Sequence, residues 1–476
     1  MKRTPWYEYL TRNIHWLGLN MVSGSLTPII LPYLVARYVA ETSKGTYLGL
    51  LRAAGLVLAI VVQPFAGLIS DRSSSRWGRR RPFILAGTLL SVACLALVGL
   101  ARNYWQLFIA VLLLQFSANV AHGALQGIIP DLFPLERRGR ASAAKALMEL
   151  LPIIVIGFSI GPVIGVGNVR LAILGLMAIL AVTMVITVMT VHEEPRRMPH
   201  VEPLRPAATR VLMLAVAFVS VTMLFGGLAG AVTQVWHKNT GWHHVLVGLS
   251  GLLAMAGAVV LGVWCAVRAG IGQVARRQTA FTWWVVNRLL YLTAVGSIQS
   301  FAQYYLQDVL AISDVPSATG RLMATVGTCT LVSALSSVWL CDTIDRRTLV
   351  GLSGVLAAGG TCFLLMAHEM ALVTVAAALL GLATGTFLTV NWALGVDLAP
   401  SADAGLYLGI SNLAGAGAGI IGAGIGGPLA DFFNSHQRGL GYLVIFGIYG
   451  VLFLLSALAL VKVRPSGENA DRARMI

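Results

Sequence analysis

The chain alternates between long apolar stretches and short polar segments rich in arginine. The apolar stretches are about 20 residues or longer, the helical length that crosses roughly 30 Å of bilayer hydrocarbon. The pattern therefore predicts fourteen membrane-spanning helices. They cover residues 14–40, 46–69, 82–101, 104–129, 141–166, 170–191, 211–236, 243–269, 281–311, 317–340, 348–367, 370–396, 403–432 and 439–462.

A polar, proline-rich linker at residues 192–210 interrupts this pattern after the sixth predicted helix. It ends an N-terminal six-helix bundle at residues 1–191. An inserted helix pair with a basic loop follows at residues 211–280, and a second six-helix bundle occupies 281–464. A polar tail, 465–476, completes the chain. The predicted fold is an all-α membrane protein of two pseudo-symmetric six-helix bundles plus an inserted helix pair.

Basic residues cluster in alternate loops, for example at 72–81 and 137–140. Lys and Arg accumulate on the cytoplasmic side of membrane proteins. We therefore expect a protein of the inner (plasma) membrane whose two termini, linker and tail are all cytoplasmic. This topology accounts for the net charge of +15. No basic face interleaved with aromatic residues is present, so a nucleic-acid partner is not expected. The opposite loops carry single basic residues: Lys44, Arg102, Arg170, Lys238 and Arg438.

Composition also argues against an enzyme. The chain is 57% hydrophobic and 11% charged, whereas soluble proteins carry about 25% charged residues. Its five cysteines are scattered, without a CxxC or Cys/His cluster, so neither a disulfide framework nor a zinc site is indicated. We find no nucleotide-binding loop and no nucleophile–base arrangement. We therefore predict no enzymatic activity, no cofactor and no metal.

The two six-helix segments share landmarks. Arg346 follows Arg79 by 267 positions, and Asp397 follows Asp131 by 266. Two landmarks with nearly one offset indicate duplicated halves. Parallel halves around a central solute site are what alternating access requires.

Several motifs resemble those of major facilitator transporters, and more closely the plant sucrose carriers, their animal relatives and the glycoside–cation symporter group. The segment Gly67–Phe83, GLISDRSSSRWGRRRPF, resembles the loop between helices 2 and 3 of that superfamily. The runs Asn119–Gly127, Pro130–Gly139 and Phe281–Asp308 resemble the sugar-carrier branch. The resemblance implies a secondary active transporter of a sugar or glycoside, with proton symport as a possible mode of coupling.

Two positions depart from these families. Plant sucrose carriers have an Asp implicated in proton coupling where this chain has Asn119, which cannot titrate. Sodium-coupled melibiose carriers place acidic residues in helix 2, where this chain has Gln63, Pro64 and Gly67. Neither form of coupling is therefore implied at those positions.

The loops that carry the repeat are candidates for a conformational switch. Asp71, at a helix end, can pair with neighbouring arginines in one state and release them in another. The alternative is a basic topology anchor, which requires neither Asp71 nor the glycines. The candidate switch residues are Gly67, Asp71, Arg72, Gly78, Arg79, Arg80, Arg81, Asp131, Arg138, Gly139, Asp342, Arg346 and Asp397.

Glu149 is the leading candidate for a coupling acid. If the fifth helix begins near Arg140, Glu149 lies about 13 Å along it, where an ionisable group is costly and usually functional. Lys145 precedes it by one turn on the same face. A purely structural Lys145–Glu149 pair is the alternative, and both roles are compatible if a proton or solute breaks the pair.

Further polar residues lie within apolar segments. Asn119, His122 and Gln126 share one face of the fourth helix, where His122 could carry a proton or serve as a packing residue. Arg288 could neutralise a carboxylate of the solute or Glu149, or snorkel to the headgroups. Amides beside aromatic residues suit sugars. The remaining candidates for solute binding are Asn20, Gln299, Gln303, Asn391 and Trp392.

These features predict a secondary transporter that works by alternating access in the lipid bilayer. The favoured solute is a small molecule, a sugar or glycoside, with H+ as a possible co-substrate. A proton-driven drug or metabolite antiporter is the first alternative, because fourteen helices also occur in such exporters. A non-transporting membrane sensor is the remote alternative.

Overall fold

The computed structural model describes residues 5–191, 193, 204–236, 242–271, 279–398 and 404–463. Regular secondary structure within these ranges is helical throughout, which confirms the predicted all-α class. A π-helical turn at Leu26–Ile30 joins α2 to α3. The helices before the inserted pair are α1 (Trp6–Thr11), α2 (His15–Ser25), α3 (Leu31–Tyr38), α4 (Lys44–Asp71), α5 (Arg81–Leu100), α6 (Tyr104–Leu125), α7 (Ile128–Leu132), α8 (Leu135–Gly165) and α9 (Val169–Thr190).

The second part of the chain continues with two long helices and then six more. A final 3₁₀ turn covers Leu460–Lys462. The helices are α10 (Leu204–Val235), α11 (Trp242–Ile271), α12 (Thr279–Asp308), α13 (Val315–Thr343), α14 (Arg346–Leu365), α15 (Met370–Leu398), α16 (Ala404–Asn434) and α17 (Leu440–Ala459).

Thirteen helical segments among the described residues are long and apolar enough to cross a membrane. The fourteenth predicted segment forms α12, a 30-residue helix that does not reach the same apolarity. Its polar side chains include Asn287, Arg288 and Gln303, which lower its hydropathy although most of the helix is buried. The long helix that falls short of this apolarity is thus the one that carries Arg288, Gln299 and Gln303.

Two helices begin earlier than the hydrophobic pattern predicted. Helix α8 starts at Leu135 directly after Pro134, instead of at residue 141, and α10 starts at Leu204 instead of 211. Polar residues with good helix propensity extend both helices beyond their apolar part. Glu149 therefore lies about 21 Å from the start of α8, instead of 13 Å, near the middle of this 31-residue helix.

The chain divides into two compact units. Unit 1 consists of Met1–Leu212 with Ala302–Gln307 and Ala311–Gly327, and unit 2 consists of Met213–Phe301, Asp308–Leu310 and Thr328–Ile476. In unit 1, α5 packs against α6 and α9, while α2 packs against α8 and α9.

Unit 2 repeats part of this arrangement. Helix α14 packs against α15 and α17, as α5 packs against α6 and α9 in unit 1. The stacked rings of Tyr291 and Phe387, 3.6 Å between centroids, join α12 to α15 in its core. The shared packing pattern is the structural counterpart of the repeat in the sequence.

The inserted pair packs on α16 and α17 of unit 2. Phe218 of α10 is fully buried and lies against two glycines. A Cβ on Gly417 of α16 would be 2.6 Å from its ring, and a Cβ on Gly262 of α11 would be 3.1 Å away. The glycines thus provide the space into which the aromatic side chain of the insertion fits.

Candidate functional site

A polar network links α12, α15 and α17 inside unit 2. Arg288 donates from Nη1 to Oδ1 of Asn391 at 3.0 Å. The Asn391 amide in turn donates to Oδ1 of Asn287 at 2.7 Å, and Asn287 donates to the carbonyl and hydroxyl oxygens of Ser456, each at 2.8 Å. Asn287 and Asn391 are fully buried. The network fixes both amides and leaves Arg288 at its end.

Two tryptophans border the guanidinium of Arg288. Its Cζ atom lies 5.3 Å from the ring centroid of Trp392 and 6.0 Å from that of Trp284, both within the range of a cation–π contact. Trp284 is buried and donates from Nε1 to the carbonyl of Asn391 at 2.9 Å. Trp392 is 39% exposed, so one face of this cluster has an accessible aromatic surface.

The two glutamines predicted on the same helix do not join this network. Gln299 is half-buried, one turn before Gln303, which belongs to unit 1. The Oε1 atom of Gln303 is buried and accepts no hydrogen bond from the part of the chain that the structure describes.

A second cluster forms in unit 1, where α2, α6 and α8 meet. Lys145 pairs with Glu149 at 2.9 Å, and its Nζ atom lies 4.2 Å from the ring centroid of Trp16. The imidazole of His122 packs edge-on against the same indole, with 4.9 Å between centroids. The structure thus brings His122, Lys145 and Glu149 together around one buried tryptophan.

The other candidates of unit 1 lie on α2, on α6 and directly after α6. Asn20 donates to the carbonyl of Trp16 at 2.8 Å. Asn119 donates to the carbonyl of Gln115 at 2.7 Å, within its own helix. Gln126 directly follows α6 and is exposed. The predicted polar face of α6 therefore contributes His122 to the cluster, while Asn119 bonds within α6 and Gln126 is exposed.

The loop before α5 holds an ion-pair network around Arg80, whose side chain is 6% exposed. Its guanidinium pairs with Asp71 at the end of α4 and with Asp131 of α7, the latter at 3.0 Å. Arg79 pairs with the same Asp131 carboxylate. The backbone N–H of Arg80 donates to Glu193, which follows α9, at 2.8 Å. Helix α4, helix α7 and the segment after α9 therefore converge on this loop.

Glycines make this convergence possible. A Cβ on Gly123 of α6 would overlap the carbonyl oxygen of Gln63 and lie 3.0 Å from the backbone nitrogen of Gly67, so the two helices cross closely here. Gly127 lies against the guanidinium of Arg80. Gly78 has φ +97°, a conformation that favours glycine.

Unit 2 contains the repeat-related pair. Arg346, the first residue of α14, lies 2.5 Å from Asp397 of α15. These are the positions that the sequence offset relates to Arg79 and Asp131, so both halves form the same ion pair. The second pair is more exposed, at 43% and 53% of its two side chains. Asp342 is exposed near the end of α13 and joins no described ion pair.

The remaining switch candidates lie in turns or helix ends, where their described contacts are local. Arg138 donates to the carbonyls of Pro130 and Phe133, which secures the turn between α7 and α8. Arg72 donates to the carbonyl of Leu68 at 2.8 Å. Arg81 is the first residue of α5 and its Nε atom is buried. A Cβ added to Gly139 would meet nothing within 4 Å.

Several contributors were not singled out in the sequence: Trp16, Trp284, Asn287, Glu193 and His15. Trp284, Asn287 and Glu193 complete the networks above, and Asn287 beside Arg288 within an apolar run was a usable signal. His15 is fully buried and forms hydrogen bonds with the hydroxyl groups of Thr88, at 2.9 Å, and Thr183, at 3.3 Å. Within the described ranges no group of three or more His, Cys, Asp or Glu residues could hold a metal.

Comparison with known proteins identifies the fold and the family. A family model, the Major Facilitator Superfamily, matches residues 16–304 and 285–475. A general alpha-glucoside permease of Schizosaccharomyces pombe is 27% identical over 175 residues, covering 31% of each chain. A sucrose transport protein of Arabidopsis thaliana is 29% identical over 129 residues, 22% of each chain. Proton-associated sugar transporter A of Homo sapiens is 31% identical over 171 residues, 30% of this chain and 22% of that one. The matches span less than a third of each of these relatives.

Solved structures with similar folds are also transporters. A POT family transporter in complex with 5-aminolevulinic acid superimposes with a TM-score of 0.67 at 14% identity, covering 96% of both chains. A nucleoside transporter gives 0.61 at 12% identity, covering 96% of this chain and 98% of that one. Together with the family match, they confirm the superfamily and the transporter class that the loop motif predicted.

Proposed function

The chain belongs to the Major Facilitator Superfamily, and on that premise we propose that it carries a sugar or glycoside across the membrane by alternating access. Similarity to an alpha-glucoside permease and to sucrose and proton-associated sugar transporters supports this solute class. The observation that carries the proposal is the polar network of Asn287, Arg288 and Asn391 beside the accessible ring of Trp392. The amides hold Arg288 in place, its guanidinium can donate hydrogen bonds to hydroxyl groups, and an indole packs on the apolar face of a sugar ring.

In this proposal residues 1–191 and 281–464 are the two functional six-helix bundles. The segment 192–210 connects them, and residues 211–280 are an accessory pair. The basic loops at 72–81 and 137–140 lie in the cytoplasm, with both termini on the same side of the plasma (inner) membrane. The loop network of Arg80 and the pair Arg346–Asp397 act as switches that form in one state of the cycle and open in another.

Proton symport is assigned to the cluster around Trp16. The ion pair of Lys145 with Glu149 is intact at 2.9 Å, and protonation of the carboxylate would cancel its attraction for the ammonium. His122, against the same indole, is the alternative proton carrier. A proton would in this way change the charge of a cluster that joins three helices.

Uptake of radiolabelled sucrose and maltose into proteoliposomes tests the proposal. We expect accumulation when an inward pH gradient is imposed, and its loss in Glu149→Gln with solute exchange retained. Glu136→Gln is the matched control, because Glu136 lies in the first turn of the same helix and is exposed. It should accumulate solute as the unaltered protein does.

Other results would redirect the proposal. Sugar flux that does not depend on the pH gradient would contradict proton symport and indicate a uniporter. Unchanged accumulation in Glu149→Gln would move the coupling role to His122. An absence of flux for every sugar would reject the sugar assignment and favour the proton-driven antiporter.

A further inference from the structure

Two imidazoles meet where the inserted helix pair packs against α16. His244 lies in the first turn of α11, and its ring centroid is 4.5 Å from that of His436, which follows α16. The His244 ring also lies edge-on to Phe432 and Phe433, at 6.1 and 5.9 Å between centroids. His244 and His436, here called the histidine pair, belong to neither cluster of the proposed transport mechanism.

The two rings of the histidine pair are held in different ways. His436 is exposed, and its Nδ1 atom lies 2.9 Å from the carbonyl oxygen of Phe432. A carbonyl only accepts hydrogen bonds, so this Nδ1 atom carries a proton and donates it. The Nε2 atom of His244 is buried and has no hydrogen-bond partner among the described residues. The contact in this structure therefore suits two neutral rings.

The charged and titratable groups around the histidine pair are few. After α16, Arg438 pairs with Asp308 at the end of α12, at 3.1 Å, so these two charges compensate each other. On α11, His243 stacks on the indole directly after α10. Asp431 is the acid of α16 and is buried, while α17 has no charged residue. Residues 237–241 lie outside the described residues. One carboxylate can offset the charge of one imidazolium, but not of two.

Deeper in the same interface the contacts are apolar. Gly251 of α11 lies against the side chain of Leu429 of α16. Two turns further along α11, Gly262 lies against Phe218 of α10, which also contacts Gly417 of α16. None of these side chains takes up a proton. Protonation of the histidine pair would therefore loosen the first turns of α11 and leave the rest of the inserted pair in place.

We propose that the histidine pair is a proton-binding site that releases the first turns of α11 from α16 in acid. Imidazole changes its charge between about pH 8 and pH 5, and two positive rings 4.5 Å apart would repel each other. The separated rings bind two protons more readily than the rings in contact. The contact is therefore stable at neutral pH and is lost as the pH falls through about 6.

The histidine pair lies at the end of α11 that the proposed topology places outside the cytoplasm. A proton taken up there comes from the external solution. Neither the solute nor the coupling proton of the Trp16 cluster enters into this response. The inserted helix pair would thus give the transporter a sensor of external acidity.

Hydrogen–deuterium exchange of the purified full-length chain in lipid nanodiscs tests the proposal, with a chelator present so that no metal ion binds the rings. Protection of the backbone amides of residues 246–250 is compared at about pH 7.5 and about pH 5.5, on either side of the imidazole range, after correction for the intrinsic pH dependence of exchange. We expect protection to fall about tenfold or more in acid, because like charges this close shift such an equilibrium strongly. Amides 256–262 should keep their protection.

Variants assign the response to the two rings. His244→Phe keeps an aromatic ring beside Phe432 and Phe433 but cannot be charged, so protection should be the same at both pH values. His436→Asn retains a donor for the Phe432 carbonyl and should also abolish the response. Because His436 is exposed, this variant serves as the test if His244→Phe does not fold. His368→Gln is the matched control, since His368 is an exposed histidine between α14 and α15, and it should keep the full response.

Three results would overturn the proposal. The first is equal protection of residues 246–250 at both pH values in the unaltered chain. The second is a pH response that persists in both His244→Phe and His436→Asn. The third is loss of the response in His243→Gln together with its retention in the two variants of the histidine pair. None of these measurements uses a solute, so failure of the sugar assignment would leave the proton site standing.

Discussion

The repeat places the same ion pair in two different surroundings. In unit 1, Arg79 and Asp131 form part of a network with Arg80, whose side chain is 6% exposed. In unit 2, Arg346 and Asp397 face each other with about half of each side chain exposed. The duplicated sequence thus reproduces the pair but not its burial.

The difference arises from the residues around each pair. Asp71 and Glu193 add carboxylate contacts in unit 1, and Gly127 lets the guanidinium of Arg80 approach α6 and α7. Arg347, the repeat counterpart of Arg80, makes no ion pair with a described residue. A partly buried network is costly to break, whereas an exposed pair contributes about 0–1 kcal/mol. We therefore expect the unit 1 loop to dominate both stability and switching.

The largest effect is expected for Arg80→Ala. It leaves Asp71 without its cation and Asp131 with one arginine instead of two, so the free energy of unfolding should fall by about 3 kcal/mol. Denaturant titration in detergent measures this change, and solute uptake should slow as well. Arg347→Ala, the matched variant, should cost less than about 0.5 kcal/mol. Equal losses in the two variants would show that the loops are equivalent.

Gly127→Ala should have the second-largest effect on the free energy of unfolding. The added Cβ would meet the guanidinium of Arg80, and such overpacking costs about 1–3 kcal/mol. Gly139→Ala provides a control of opposite sign, because nothing lies within 4 Å of its Cβ position. In helix α8 that change should stabilise by up to about 1 kcal/mol, as alanine does relative to glycine. A neutral Gly127→Ala would contradict the close contact.

The two loops also differ in the N-terminal cap of the helix that follows each of them, and this effect should be smaller. Asp345 accepts from the backbone N–H of Thr348 at 3.2 Å at the start of α14, whereas α5 has no side-chain cap. Asp345→Ala should lower the free energy of unfolding by about 1 kcal/mol, while Asp345→Asn should retain most of the stability. Thermal unfolding of both variants in the same detergent gives the comparison. A similar loss in both would assign the effect to charge instead of capping.

The smallest effect is expected for Asp397→Asn. Its pair with Arg346 is solvent-exposed, so removal should cost about 0–1 kcal/mol and the cost should vanish in high salt. Asp131→Asn removes a carboxylate that is 16% exposed and bridges two arginines, so its cost should be larger and less sensitive to salt. Denaturant titration at low and high salt separates the two cases.

Local features of the sequence were enough to predict most of the fold. Apolar length predicted the helices because each must satisfy its own backbone hydrogen bonds within the bilayer. The weakest case was α12, whose polar residues lower the apolar signal. The starts of α8 and α10 were placed too late, since apolarity marks the part of a helix in lipid and not its whole length.

The candidate site was less accessible to sequence reasoning. Lys145 and Glu149 were paired correctly from their spacing, because residues one turn apart on a helix are neighbours. The partners of Arg288 were not, since Asn391 is 103 residues away and Trp284 was not among the candidates. Likewise, Glu193 reaches Arg80 across 113 positions.

The sequence by itself determined the all-helical class, the duplicated halves, the family and the residue types available at membrane depth. These follow from hydrophobic length, local spacing and short motifs, all of which are read along one chain. The tertiary structure alone decided that one copy of the ion pair is buried in a network and the other is exposed. It also decided that Lys145 meets a carboxylate whereas Arg288 meets an amide and two indoles. The physical reason is that desolvation and pairing of a charge depend on side chains brought together from distant helices, which spacing within one helix does not specify.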